Sequence, residues 1–328
     1  MMRAPGRRRF LQITAGLAAL GIAPATPERL RYRWTGSALG ASAALDLYHT
    51  DPTQAARLVA RTVAEIDRLE AIFSLQRETS ALSRLNGRGR LRQPPLELLA
   101  VLEAAALVSQ LSEGAFDVTV QPLWLLFAEA GSRGAAAEPR AIERARDFVD
   151  WRGIDLDRRS IGFRRAGMAA TLNGIAQGYI TDRVTELLRD AGVEDVLVDL
   201  GEFRAASARS PGRPWRLRTP VGPVLLADRA LAVSSAGPAD CCLAEVSPHL
   251  ISPLTGAPVR TGRCTVVTAS CAMLADAAST ALAVAEPSAL ASLMAGLAPL
   301  NIAILSSEGL AYPAPGPRSG APSWQSAG

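Results

Sequence analysis

The residues best placed to bind a cation lie in an apolar stretch near the end of the sequence. Asp276 stands within residues 271–285, which are apolar nearly all round at helical spacing. Burying a carboxylate in such a helix is unfavourable unless the group is paired or bound to a cation. Thr280 lies one turn further along the same face, so its hydroxyl and the carboxylate can converge on one point. Oxygen ligands of this kind suit magnesium or calcium, whereas the alternative is an aspartate bonded to the backbone or to an arginine.

Three other positions carry residue types that suit chemistry. The segment from Gly174 to Gly178 opens a predicted helix and can offer free backbone N–H groups to a phosphate. His249 lies in a segment rich in Pro and Gly, where a loop position leaves an imidazole available for proton transfer, although a lone histidine is more often structural. Asp117 follows a predicted helix end and is equally well a cap or turn residue.

The composition excludes several classes of chemistry. The sequence has no lysine, which rules out a Schiff base, a lysine general base and a lysine phosphate clamp. Its four cysteines form no CxxC pair, which disfavours a zinc or iron–sulfur framework. Without the arginines of residues 1–25, basic and acidic residues balance, so no nucleic-acid partner is expected.

Residues 1–25 have the pattern of an export signal. An arginine cluster precedes an apolar stretch over residues 13–23, and Ala-Pro-Ala then supplies a small-x-small cleavage site. The Arg-Arg-Phe-Leu-Gln run beginning at Arg8 and Arg9 resembles the twin-arginine signal of bacteria. An ordinary secretory signal is the alternative. We therefore expect a periplasmic protein exported by the twin-arginine route, with no membrane span in the mature chain.

Hydrophobic periodicity predicts a mixture of helices and strands that must position these residues. Helices are predicted over residues 54–73, from 94 or 95 to 114, 175–190, 271–285 and 288–296, and strands over 196–200, 230–234, 264–269 and 300–305. The order shows neither strict alternation nor an internal repeat, which indicates the α+β (mixed α/β) class. We expect a single large domain over residues 26–310, with mixed sheets flanked by helices, and a disordered tail over residues 311–328.

Six segments occur in the order and spacing typical of one enzyme family. They are Phe73-Ser74 with Ser80 to Asn86, the G-A-F-D-x-T-x-x-P-L segment at 114–123, the segment Thr171-Leu-Asn-Gly-Ile-Ala-Gln-Gly-Tyr-Ile-Thr-Asp182, Asp199-Leu200-Gly201, the H-x-I-x-P-x-T-G segment at 249–256, and the S-C-x-x-A-D-x-x-x-T segment at 270–280. Over roughly residues 35–310, the chain resembles the ApbE-type FAD:protein FMN transferases.

The resemblance implies a mechanism. Such enzymes bind FAD with a divalent cation, usually Mg²⁺, split its pyrophosphate, and attach FMN through a phosphoester to a threonine or serine of an exported redox protein, releasing AMP. By position, the resemblance implies metal ligation by Asp276, Thr280 and the carbonyl of Gly174, and activation of the acceptor hydroxyl by His249. The implied FAD contacts are Leu39, Gln76, Ala115, Phe116, Asp117, Thr171, Gln177 and Leu250.

Several positions depart from the family pattern. Gln177 replaces a lysine, Thr171 an acidic residue and Ser252 an aspartate, while Leu39-Gly40-Ala41 replaces Met-Gly-Thr. These changes remove a cationic contact to phosphate and two carboxylates; Arg183, on the same predicted helix as Gln177, is a candidate for the missing charge. The alternatives to a transferase are a periplasmic FAD carrier, an FAD pyrophosphatase, and a non-catalytic assembly factor. The partner expected of a transferase is a flavin-acceptor protein of a respiratory or electron-transfer complex.

Overall fold

A computed structural model describes residues 29–207, 213–236, 250–298, 300–306 and 309–313. The strands are β1 (Leu30–Ala38), β2 (Ala41–His49), β3 (Arg90–Arg92), β4 (Ile154–Asp157), β5 (Ser160–Phe163), β6 (Val196–Asp199), β7 (Phe203–Ala205), β8 (Trp215–Thr219), β9 (Gly222–Leu226), β10 (Ala230–Ala236), β11 (Arg263–Ala269), β12 (Asn301–Ser306) and β13 (Gly309–Pro313). The α-helices are α1 (Pro52–Phe73), α2 (Ala81–Arg88), α3 (Leu96–Leu111), α4 (Gln121–Ser132), α5 (Pro139–Arg146), α6 (Ala176–Asp190), α7 (Ala272–Val284) and α8 (Leu290–Gly296).

The main sheet joins strands from both ends of the chain. Within the described residues it has eight strands in the order β1-β2-β6-β7-β10-β11-β12-β13, with antiparallel neighbours throughout. Smaller sheets pair β3-β5-β4 and β8-β9. Side chains of an antiparallel sheet alternate between its two faces. One face can therefore pack on helices while the other packs on a different part of the chain.

The two faces of the main sheet are covered differently. Ala232 and Val267 face the larger core, which includes buried residues of α1, α6 and α7. Their neighbours Leu231 and Val266 belong to a smaller core that includes Trp215 and residues of the β8–β9 hairpin. The helices therefore form a layer on one side of the sheet, and α7 packs directly on β10 and β11.

A close helix crossing brings the start of α6 against α7. A Cβ added at Gly178 would lie 2.4 Å from the carbonyl oxygen of Ala272, a distance that no side chain tolerates. Only glycine therefore allows this approach. The crossing places the Gly174 to Gly178 segment beside the helix that carries Asp276.

The expected fold class is confirmed, and the long helices lie close to their predicted bounds. Helix α6 begins one residue after the predicted start and ends at Asp190 as predicted, while α7 is one residue shorter at each end than predicted. The last predicted helix instead begins with a 3₁₀ turn at Pro287–Ala289. Strand β13 runs to Pro313, so it includes the first three residues of the expected disordered tail. Over the described residues, no helix combines the length and apolar character that a membrane crossing requires.

Candidate active site

A cavity of about 430 Å³ opens between the helical layer and the ends of β7 and β10. Its described lining consists of Ala115, Phe116, Asp117, Val118, Val120, Trp124, Thr171, Asn173, Gly174, Gln177, Glu202, Val233, Ser234, Ser235, Leu250, Ile251, Pro253, Asp276, Thr280 and Val284. Most of this lining is apolar or uncharged, with three carboxylates among it. Concave sites of this size and mixed lining are typical of small-molecule binding.

Asp276 lies in the wall of the cavity and is 3% exposed. One of its oxygens, Oδ2, accepts a hydrogen bond of 3.1 Å from the backbone N–H of Gly178. Burial raises the pKa of Asp276 to about 8, opposed by the Gly178 bond and assisted by the charge of Asp182. The carboxylate is thus bonded to the backbone, as one alternative held, and it also faces a cavity.

The three residues expected to ligate a metal share one wall of the cavity. A Cβ added at Gly174 would lie 3.0 Å from Oγ1 of Thr280, so the backbone at Gly174 closely approaches α7. Ser234 on β10 lies across from this helix, with its Oγ 3.3 Å from Oγ1 of Thr280 and 2.8 Å from Oγ of Ser279. Gly174, Asp276 and Thr280 are therefore brought together, with Ser234 as an additional hydroxyl that sequence reasoning missed.

Most of the residues expected to contact FAD also line this cavity. They are Ala115, Phe116, Asp117, Thr171, Gln177 and Leu250. The Asp117 carboxylate is already bonded, because Oδ1 accepts from N (2.7 Å) and Oγ1 (2.6 Å) of Thr119 and Oδ2 accepts from N of Trp151 (2.9 Å). This side chain caps the 3₁₀ turn at Val118–Val120. Burial nevertheless raises the pKa of Asp117, against the effect of these bonds.

Leu39 and Gln76 lie near each other and are not among the described residues that line the cavity. Leu39 has φ +48° in the β1–β2 turn, and its N–H donates to Oε1 of Glu70 at 2.9 Å. A Cβ added at Gly40 would meet Nε2 of Gln76 at 3.0 Å. The structure therefore supports a local packing role for both residues, and their expected contact with FAD stays a prediction.

Three further expectations from the sequence concern His249, Ser252 and Arg183. His249 lies outside the described residues, and the next residue, Leu250, lines the cavity. Ser252 does not line it; its Oγ accepts from N of Thr255 at 3.3 Å within a turn. Arg183 does not supply the charge missing at Gln177, because its guanidinium bonds Glu186 on the exposed face of α6 and does not line the cavity.

Glu202 is an acidic residue of the cavity that sequence reasoning missed. It follows Asp199-Leu200-Gly201 directly and is 6% exposed. Burial, with the charges of Asp276 and Asp199, raises the pKa of Glu202 well above its ordinary value. The only sequence signal for Glu202 was its position immediately after a strand and a glycine turn. That signal does not reveal its burial, because burial depends on how β7 pairs with β10.

The donor set of the cavity fits a hard cation. It consists of carboxylate oxygens of Asp276 and Glu202, hydroxyls of Thr280 and Ser234, and the backbone at Gly174, which are the oxygen ligands that Mg²⁺ and Ca²⁺ prefer. Among the described residues, no cluster of three or more His, Cys, Asp or Glu side chains could hold a metal. A cation here would therefore need hydroxyl, carbonyl, water or substrate oxygens beside the carboxylates.

The fold and the cavity together define a mixed α+β protein with a largely apolar cleft between its helical layer and its sheet, in which a group of carboxyl and hydroxyl oxygens shares one wall. The model of the ApbE family matches residues 39–304, and the chain belongs to that family. The FAD:protein FMN transferase of Haemophilus influenzae is 26% identical over 302 residues, covering 82% of this chain and 85% of that protein. The FAD:protein FMN transferase of Vibrio cholerae is 29% identical over 249 residues, covering 67% of this chain and 72% of that protein.

Solved structures agree with this fold. The apo flavinyl transferase ApbE of Pseudomonas stutzeri superimposes with a TM-score of 0.74 at 22% identity, covering 86% of this chain and 94% of that one. The flavin transferase ApbE of Vibrio cholerae gives a TM-score of 0.73 at 22% identity, with 86% and 96% covered.

Proposed function

We propose that this chain is an FAD:protein FMN transferase that works with a divalent cation, Mg²⁺ being the first candidate. One observation carries the proposal: the cavity gathers the three positions expected to ligate a metal and six of the eight expected to contact FAD. Membership of the ApbE family, and relatives named as FAD:protein FMN transferases, support the same activity.

The charge of the cavity supports the requirement for a cation. Asp117, Glu202 and Asp276 line it, whereas no arginine does among the described residues. A pyrophosphate brought here would meet no basic side chain among the described lining, and any of these carboxyls that ionises beside it would repel it, because like charges interact strongly where solvent screening is weak. A bound cation supplies charge neutralisation for the pyrophosphate and for the leaving phosphate.

The chain's own residues hold the substrate and manage a proton. Asp276, Thr280 and Gly174 would hold the cation, while Phe116 and Leu250 offer apolar surface. In the transfer, the acceptor hydroxyl oxygen bonds to the FMN phosphorus, the bond from that phosphorus to the bridging oxygen breaks, and AMP leaves. We assign the proton of the acceptor hydroxyl to His249, on the strength of its place next to Leu250 in the sequence.

The place of action and the partner are part of the proposal. The arginine pair and apolar stretch within residues 1–25 support export to the periplasm by the twin-arginine route. We infer that the acceptor is an exported or membrane-bound redox protein that presents a threonine or serine hydroxyl. An acceptor of this kind would complete its flavin cofactor in the same compartment.

A transfer assay tests the proposed function. Purified protein is incubated with FAD, Mg²⁺ and an acceptor protein bearing a threonine, and the acceptor mass is measured with and without Mg²⁺. The expected result is an Mg²⁺-dependent gain of one FMN phosphoester, with equimolar AMP. Release of FMN and AMP without a mass gain would indicate a pyrophosphatase, intact bound FAD a carrier, and no FAD binding an assembly factor.

Two variants locate the chemistry in the same assay. Asp276→Ala is expected to abolish Mg²⁺-dependent transfer while leaving a folded protein, because it also removes an unfavourably buried carboxylate.

His249→Ala is expected to slow transfer by about 10²–10⁴-fold while changing FAD affinity much less, since a general base acts mainly in the transition state. Circular dichroism and FAD titration accompany both. Loss of the fold in the first variant, or an unchanged rate in the second, would contradict these roles.

A further inference from the structure

The backbone at Glu202 is held in place by its neighbours. Gly201 has φ +104°, a conformation that favours glycine, and it turns the chain between β6 and β7. The carbonyl of Glu202 accepts hydrogen bonds from N of Leu200 (3.2 Å) and from Oγ1 of Thr181 (3.4 Å). The glutamate is therefore directed to its position by a fixed turn.

The side chain of Glu202 is only half satisfied. The N–H of Val233 donates to its carboxylate. Strand β7 pairs with β10 only at Ala230 and Leu231, so this N–H lies beyond the end of that pairing and a side chain takes it instead. The second carboxylate oxygen, Oε2, is buried and has no hydrogen-bond partner among the described residues. An unsatisfied buried acceptor is unfavourable, and an anionic one more so.

Several polar groups that share the cavity with Glu202 are carboxyls and hydroxyls. Of the elements packed around the cavity, α7 contributes Asp276 and Thr280, β10 contributes Ser234 and Ser235, and α6 contributes the uncharged Gln177. No described basic side chain lines the cavity to balance Glu202 and Asp276. Two buried carboxylates that face one cavity, with no basic side chain among the residues described around them, are a suitable environment for a divalent ion.

We propose that Glu202 is a second carboxylate ligand of the cation held by Asp276, and that its unpartnered Oε2 binds the cation directly or through one water. The inference rests on the proposed function only in taking this cavity to be the cation site. It adds to that site a residue from the β6–β7 turn, so that both the helical layer and the sheet contribute ligands to the ion.

A structural role alone makes a different prediction. If Glu202 only accepts the Val233 N–H, then Glu202→Gln keeps that acceptor and the side-chain shape and should leave metal affinity unchanged. If Oε2 binds the cation, the same substitution replaces an anionic ligand by an amide and weakens metal binding. Asp199→Asn is the matched control, because it removes one negative charge near Glu202 from a residue that does not line the cavity.

The test uses Mn²⁺ alone, without FAD or acceptor. Binding to the whole protein is followed by the loss of the free-ion electron paramagnetic resonance signal. Glu202→Gln is expected to weaken binding by about 10–100-fold, the range seen when groups that support a metal site are lost. Asp199→Asn is expected to stay within a few-fold of the wild type, and thermal unfolding without metal checks that both variants fold.

Three results would overturn the inference: wild-type protein that does not bind Mn²⁺, Glu202→Gln with wild-type affinity, or an equal loss in Asp199→Asn. If Glu202→Gln does not fold, Glu202→Asp is measured instead. Its shorter side chain withdraws the oxygen, so a reduced affinity supports the inference and wild-type affinity overturns it. Because neither FAD nor acceptor is present, these outcomes are independent of whether FMN transfer is detected.

Discussion

Gln177 is the residue whose environment best tests the assignment of the phosphate site. Its side chain lines the cavity and lies against Gly201, where an added Cβ would be 2.8 Å from Nε2. A glutamine can donate a hydrogen bond to a phosphate oxygen but brings no charge. The bound cation must therefore carry more of the charge neutralisation than it would beside a lysine.

Replacing Gln177 by lysine should partly relieve this dependence. We expect Gln177→Lys to bind FAD more tightly, or to reach half-maximal transfer at a lower Mg²⁺ concentration, because it adds a cation beside the carboxylates of the cavity. FAD titrations at several Mg²⁺ concentrations measure both effects. Arg183→Gln serves as the control on the exposed face of the same helix and should change neither. If Gln177→Lys also changes neither, this position does not contact the phosphates.

Site residues on helices could be identified from the sequence more readily than site residues on turns and strand ends. Asp276 and Thr280 were recognisable because a carboxylate in an apolar helix is anomalous by itself and helical spacing fixes their shared face. Glu202 and Ser234 were not recognisable, because their meeting depends on the end of the β7–β10 pairing. Whether their polar atoms find hydrogen-bond partners depends on strands that are distant in the sequence, so no local pattern reveals it.

Helix α7 is held at both ends by charged side chains from other elements. Near its start, Asp182 of α6 accepts from N of Ala272 (2.7 Å) and from N of Met273 (2.9 Å). Near its end, Arg263 of β11 donates to the carbonyls of Leu282 (2.8 Å) and Ala285 (2.6 Å). An anion at the N-terminus and a cation at the C-terminus both complement the helix dipole. The position of Asp276 is thereby fixed by the ends of its helix.

Removing the N-terminal anchor of α7 should be costly. Asp182 also pairs with Arg204, and both side chains are more than nine-tenths buried. We expect Asp182→Ala to lower the free energy of unfolding by roughly 3–5 kcal/mol, because it leaves a buried guanidinium without its partner. Urea denaturation measures this. Glu186→Ala, which breaks an exposed pair with Arg183, should cost less than about 1 kcal/mol. Similar small losses in both variants would show that Asp182 is not an anchor.

Among elements, length favoured the prediction of helices, while the four-residue strand β6 was predicted from its apolar run. The long helices were predicted because several turns of periodicity accumulate in one segment. The β8–β9 hairpin and the short strands β3 to β5 were missed, since they span three to five residues each. The β1–β2 hairpin was also missed: its turn places Leu39 at positive φ, and the Leu-Gly pair is not a typical turn signal.

The architecture of the whole sheet depends on contacts between distant parts of the chain. Strand β2 pairs with β6 through partners such as Asp46 and Leu197, and the far edge consists of β12 and β13 near the end of the described chain. The order of strands could not be predicted from local pattern, because long-range pairing is decided by the packing of both faces. The same long-range pairing means that the native sheet requires nearly the whole chain to be synthesised.

A sheet that forms only after nearly the whole chain is synthesised suits an export route that carries folded proteins. The arginine pair at Arg8 and Arg9 therefore has a testable role. We expect that replacing both by lysine retains the protein in the cytoplasm, because lysine keeps the positive charge that an ordinary secretory signal needs while removing the arginine pair that the twin-arginine route recognises. Immunoblots of periplasmic and cytoplasmic fractions from cells producing the full chain measure the outcome. The matched control, Arg3→Lys with Arg7→Lys, makes the same change outside the pair and should be exported normally. Unchanged export of the Arg8 and Arg9 variant would instead assign the chain to the ordinary secretory route, in which it would cross the membrane unfolded and assemble its sheet afterwards.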